Sequence, residues 1–153
     1  MNRTIPAKEL PSLVGQEFEP SSWMEITQER VNQFADATND HQFIHVDVEK
    51  AAQTPFGGTI AHGFLTLSLV VGLLEENGIK VEGTVMGINY GSDKVRFLQP
   101  VPVGSRIRAR QTLLDATEKR PGQWLNKTLV TIEIEGQSKP AMIAEFLAML
   151  FIK

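Results

Sequence analysis

The sequence contains no cysteine. That absence excludes disulfides, thiolate metal sites, a thiol nucleophile and cysteine-held iron–sulfur clusters, and it fits a reducing cytoplasm, the expected location. Excess positive charge is also missing: 15 Lys and Arg stand against 18 Asp and Glu. Nucleic acid and anionic membrane therefore have no electrostatic support as partners. Long hydrophobic runs are absent as well. The longest, Phe64–Leu74 and Ala141–Ile152, are too short for a membrane span, and Glu145 interrupts the second. They read as core elements, and no signal peptide is expected at the N-terminus.

What is present is ordinary globular composition, with 42% hydrophobic and 22% charged residues over 153 positions. One domain spanning 1–153 is expected, with its core over about 16–152. No internal repeat or low-complexity tract divides it.

Thr27 is a candidate N-cap for a helix that sets Val31, Phe34, Ala35 and Thr38 at helical spacing. The polar break Asn39-Asp40-His41 ends it, and an irregular segment follows to Asp47, a second candidate N-cap for a short helix over Val48–Gln53. Thr54–Thr59 is a loop by its Pro and paired Gly. From Ala61 to Glu76 the chain is apolar on nearly every side, which predicts a long helix wrapped by the rest of the protein. Four strands are expected after it, over 83–97, 105–117, 124–135 and 141–152. The last is apolar on both faces and reads as central. The fold class expected is α+β, an antiparallel sheet around a central helix. Such a sheet has exposed edges, and a homodimer that pairs them is the expected assembly.

All three histidines, His41, His45 and His62, lie close in sequence to Asp36, Asp40 and Asp47. Asp40 and His45 are five positions apart, so both can reach one bound water across a short irregular segment. One takes a proton from water and the other delivers a proton to carbon, which their different proton affinities allow. Gly63 stands at the start of the apolar helix, where the first N–H groups have no intrahelical partner. Without a Cβ it admits an acyl oxygen to those donors, and the helix dipole adds positive potential there. Close helix–sheet packing is the structural alternative for Gly63. His62 is expected to orient the loop or cap the helix.

Other chemistries fit less well. His41 and His45 are four apart, as in helical zinc sites, but Gln42 stands where a zinc protease carries Glu. No metal is expected. Ser68 lies inside the apolar helix and no Gly-x-Ser-x-Gly elbow exists. Arg106, Arg108 and Arg110 form a basic strip on one strand face, which reads first as a solvated surface.

The run Phe34–Asp47, then Pro55-Phe56-Gly57 and Ile60–Phe64, resembles the MaoC-like R-specific enoyl-CoA hydratases, most of all their NodN-like branch. Ile88–Gly91, Lys94–Phe97, Pro100-Val101 and Gly104-Ser105 carry the resemblance to the C-terminal half. It implies a hot-dog fold, a homodimer with continuous sheets, and a place in fatty acid metabolism. It also implies hydration of trans-2-enoyl-CoA to (R)-3-hydroxyacyl-CoA without a cofactor. Asp40 and His45 would then activate the water and protonate C2, and the Gly63 N–H would hold the thioester oxygen. The family pattern has Asn and Pro where this chain has Gln42 and Phe43, which changes the wall beside the acyl chain. Phe43, His62, Asn89, Tyr90 and Gly91 are the substrate-binding candidates, with Lys94, Arg96 and the arginine strip as candidates for the CoA phosphates. Two alternatives use the same site: an acyl-CoA thioesterase, and a non-catalytic acyl-CoA-binding partner subunit.

Overall fold

A computed structural model describes residues 3–153; Met1 and Asn2, the first positions of the expected domain, lie outside the described residues. The chain runs through β1 (Thr4–Ile5), a 3-10 helix (Ala7–Leu13), β2 (Met24–Glu25), α1 (Gln28–Thr38), α2 (Phe43–Val46), α3 (Val48–Ala52) and α4 (Gly63–Glu75). It finishes with β3 (Lys80–Val81), β4 (Thr84–Phe97), β5 (Arg106–Arg120), β6 (Gln123–Ile134) and β7 (Met142–Ile152).

The four long strands match the expected ones to within a few residues, and with β2 they form one antiparallel sheet in the order β2-β5-β6-β7-β4. Alternation is the cause. On β5, Ile107, Ala109, Gln111 and Leu113 turn into the core while Arg106, Arg108 and Arg110 turn out. β7 lies between β6 and β4, which explains its apolar residues on both faces. The sheet curls around α4, the arrangement of the hot-dog fold.

Val70 and Leu65 of α4 pack against Ile107, Val130, Ile132, Met142 and Ala144, most of them wholly removed from solvent. Each buried Val, Leu or Ile of this kind contributes roughly 1.5–3 kcal/mol. Thr27 and Asp47 cap α1 and α3 as expected, accepting from the N–H groups of Arg30 and Lys50. Asn39 ends α1 in the left-handed conformation, φ 60°.

Three features depart from the expectations. Residues 3–25 form a strap, with β1 pairing in parallel with β3 and the 3-10 helix packing near Leu113 and Trp124. Two-residue strands carry no periodicity, so the strap leaves no pattern to read. The segment expected to be irregular contains α2, a single helical turn. Finally, α4 is not wrapped on every side: Phe64 is 68% exposed and Val71 is open, next to the unpaired edge of β4. One curled sheet covers only one face of a helix.

Candidate active site

Asp40 follows the left-handed Asn39, and its carboxylate accepts from the N–H of Gln42. This turn leads into α2, which carries His45. The His45 ring donates through Nδ1 to the carbonyl of Ile60 at 2.7 Å, while the Ile60 N–H donates to the Ile44 carbonyl. That pair of bonds clamps α2 to the loop ahead of α4. It also fixes the imidazole: with Nδ1 carrying the proton, Nε2 holds the free lone pair.

Gln28 secures the same turn from α1. Its Nε2 donates to the His45 carbonyl at 2.7 Å, and its Oε1 accepts from the Thr59 hydroxyl at 2.6 Å. His62, 3% exposed, donates through Nε2 to the Asp40 carbonyl and stacks on the His45 ring with centroids 3.8 Å apart. Asp40, His45 and His62 each present a polar atom within 4.8 Å of the others. Burial holds the His45 imidazole below its ordinary value of 6.5; the Ile60 bond and Asp40 pull it up, and His62 pushes it further down. A base that stays unprotonated near neutral pH suits proton transfer from water.

Asp40, His45 and His62 are also residue types that ligate metal ions. Imidazole lone pairs lie in the ring planes, and these two rings are nearly parallel at 23°. His45 Nδ1 and His62 Nε2 are already engaged with carbonyls. The rings therefore do not converge on one ion.

A cavity of about 270 Å³ opens beside His45, bordered by Ala61, Gly63, Thr66, Phe97 and Ala141. Gly63 is the first residue of α4, so its N–H has no intrahelical acceptor. A Cβ on Gly63 would stand 3.1 Å from three carbons of the Phe97 ring. A methyl here would crowd the Phe97 ring, so close packing favours glycine at this position.

The structure brings Asp40, His45, His62 and Gly63 together. The other expected positions lie apart from this cavity. Asn89 borders a second cavity under the far half of α4. Tyr90 is exposed on β4, and Gly91 follows it opposite Leu147. Lys94 pairs with Glu145, Arg96 bonds only to the Val95 carbonyl among the described residues, and Phe43 carries Lys50 over its ring. His41 is tied to Asp36 at 2.8 Å, outside the site. The arginine strip is a surface ladder: Arg106 with Glu135, Arg108 with Glu133 beneath Trp23, and Arg110 with Glu17. Gln28, Phe97 and Thr66 escaped the sequence reading. Only Thr66 leaves a signal, as one of two hydroxyl residues, with Ser68, in the mostly apolar run of α4.

A MaoC like domain matches residues 9–136. The chain belongs to the MaoC-like family. The MaoC-like chain is 48% identical over 145 residues to nodulation protein N of Rhizobium meliloti, covering 94% of this chain and 90% of that one. It is 50% identical over 137 residues to 3-hydroxyacyl-thioester dehydratase Z of Mycobacterium tuberculosis, covering 90% of each. Among solved structures, R-hydratase PhaJ1 of Pseudomonas aeruginosa superimposes with a TM-score of 0.74 at 26% identity, covering 97% of this chain and 87% of that one. The MaoC-like family is one of hydratases and dehydratases. Among the described residues, no helix is long and apolar enough to cross a membrane.

Proposed function

We propose that this protein reversibly hydrates trans-2-enoyl-CoA to (R)-3-hydroxyacyl-CoA. The observation that carries the proposal is the meeting of the Asp40 carboxylate and the His45 imidazole beside the free N–H of Gly63 at the start of α4. A water held between Asp40 and His45 Nε2 loses a proton to the pair as its oxygen bonds to C3. The electron pair of the C2=C3 bond moves toward the thioester, and the Gly63 N–H holds the resulting enolate oxygen. The proton then passes to C2, so water is consumed and nothing is oxidised or reduced. The thioester itself acidifies C2, and the step as proposed enlists no metal or redox cofactor. The names of the hydratase neighbour and of the dehydratase relative support both the reaction class and the R configuration.

The proposed assembly is a homodimer, supported by the bare edge of β4 and the exposed Phe64 and Val71 beside it. A cytoplasmic role in fatty acid metabolism is proposed with it. Hydration of crotonyl-CoA, followed by loss of enoyl absorbance, tests the reaction in wild type, Asp40→Asn and His45→Gln. Both variants are expected to lose about 10³-fold or more in kcat. Release of free CoA instead would assign thioesterase chemistry, and binding without turnover would assign a non-catalytic subunit.

A further inference from the structure

A second cavity, of about 430 Å³, lies under the C-terminal half of α4. Its roof is apolar: Val70 and Leu74 from α4, with Leu10 and Phe18 from the N-terminal strap. Its floor is different. Near the start of α4 the inner face of the sheet is apolar, with Ile107, Val130, Ile132, Met142, Ala144 and Phe97. Beneath the second cavity the same face adds Gln111 from β5, Asn126 and Thr128 from β6, and Asn89 from β4 to the apolar Leu113, Phe146 and Ala148. Gln111 is 8% exposed, and Asn126 Oδ1 is buried with no hydrogen-bond partner among the described residues. Folding alone gives no reason for such a floor, because an unpaired buried amide is costly where a valine or leucine costs nothing.

The two cavities share a wall of α4. Thr66 borders the first, and Val70 borders the second one helical turn later on the same face. Val70 stands seven residues beyond Gly63, so roughly 10 Å along the axis at 1.5 Å per residue. An extended hydrocarbon with about 1.5 Å bonds advances roughly 1.25 Å per carbon, so a chain of about eight to ten carbons anchored at Gly63 ends here.

We propose that this cavity receives the distal end of the acyl group and selects a chain bearing a neutral hydroxyl there over a plain alkyl chain of equal length. The inference rests on the acyl-thioester reading above and names a narrower substrate class for it. A hydroxyl both donates and accepts, so it satisfies a carboxamide in either orientation, and the Thr128 hydroxyl as well. An alkyl terminus would instead seal the amides away from any partner. A carboxylate terminus is disfavoured, because the one charged side chain bordering the cavity is Glu75.

The test compares kcat/KM for trans-2-decenoyl-CoA and its ω-hydroxy derivative, using the full chain as wild type, Asn126→Leu and Thr128→Val. Crotonyl-CoA, too short to reach the floor, is the reference. Wild type is expected to favour the hydroxylated chain by about ten-fold or more, and Asn126→Leu to reverse the order while crotonyl-CoA turnover holds. If Asn126→Leu also loses crotonyl-CoA turnover, Thr128→Val and the wild-type ratio decide. Equal use of both chains, or a wild-type preference for the alkyl chain, overturns the proposal and leaves a floor that merely hydrates the cavity. If no enoyl-CoA is hydrated at all, the reaction assignment fails separately. Calorimetric Kd values for decanoyl-CoA and ω-hydroxydecanoyl-CoA then test the cavity alone: a ten-fold preference for the hydroxylated ligand supports it, and equality or weaker binding ends it.

Discussion

The imidazoles of His45 and His62 are stacked, while their N–H groups are committed to different carbonyls: His45 Nδ1 to Ile60 and His62 Nε2 to Asp40. His62 Nδ1 is buried with no hydrogen-bond partner among the described residues. Burial keeps His45 below 6.5, and the stacked His62 ring adds to that lowering. The acid limb of kcat/KM is expected below that value. His62→Phe keeps a ring in the stack but removes its basicity and the hydrogen bond to Asp40. It is expected to move the limb upward and to lower kcat about ten-fold. A profile superimposable on that of wild type would detach His62 from the pair.

The same lowered value has a consequence for folding. A histidine whose folded-state value is depressed gives no proton-linked penalty above its unfolded value of 6.5. As pH falls below that point the unfolded chain takes up the proton first, so stability declines toward the folded-state value. Urea midpoints measured from neutral pH down to about pH 5 should fall in wild type more steeply than in His45→Gln. Parallel slopes would contradict this linkage.

Gln28 bridges two elements of the site without entering the cavity, through the His45 carbonyl on one side and the Thr59 hydroxyl on the other. Gln28→Leu leaves both without that partner, at an expected cost of about 1–3 kcal/mol in unfolding free energy. Because Gln28 acts by position, kcat should drop while the acid limb stays in place. A shifted limb would instead make Gln28 part of the titrating system.

How far the site can be read without coordinates depends on which forces place each residue. The long strands and α4 are legible because their patterns extend over many residues: the Ile107, Ala109, Leu113 alternation on β5, and the unbroken apolar run after Gly63. Asp40, His45 and Gly63 are legible by residue type, since few side chains do proton transfer and few residues admit close approach. α2 is not legible, because its one turn is held by Ile60, fifteen positions away. Gln28 looks like any polar residue in the first turn of a helix. Phe97 becomes a site residue only because the curl of the sheet lays its ring over Gly63.

That contact makes its own prediction. In Gly63→Ala the new methyl would press on the Phe97 ring at 3.1 Å, so the ring must give way at the mouth of the cavity. A fall in kcat with a smaller change in KM is expected, and Phe97→Leu added to Gly63→Ala should restore part of it by making room. Additive losses in the double variant would mean that the methyl acts directly on the oxyanion position.

The arginine ladder and Arg96 offer a contrast within one class of side chain. Arg106, Arg108 and Arg110 spend their charge on Glu135, Glu133 and Glu17, whereas Arg96, at the Phe97 end of β4, has only a carbonyl partner among the described residues. Arg96→Gln is expected to raise KM for CoA esters several-fold while sparing pantetheine thioesters, and Arg108→Gln to leave both unchanged. The reverse pattern would place the phosphates at the arginine ladder instead of at Arg96.

β4 ends the sheet with an unpaired edge, and Val85, Met86 and Tyr90 along it are exposed together with Phe64 and Val71 of α4. Among the described residues, neither lysine gatekeepers nor a covering helix, the usual treatments of a free edge, protects Thr84–Tyr90. Pairing with the same edge of a second copy satisfies the backbone and covers the apolar side chains at once. In such a two-fold contact each substitution occurs twice, so Val85→Lys with Met86→Lys introduces four like charges into one interface. Sedimentation equilibrium should find a dimer for wild type and a dissociation constant raised about 100-fold or more for the double variant. Its unfolding midpoint should become concentration-independent as the monomer takes over. A wild-type chain that sediments as a monomer at every concentration would rule out edge pairing.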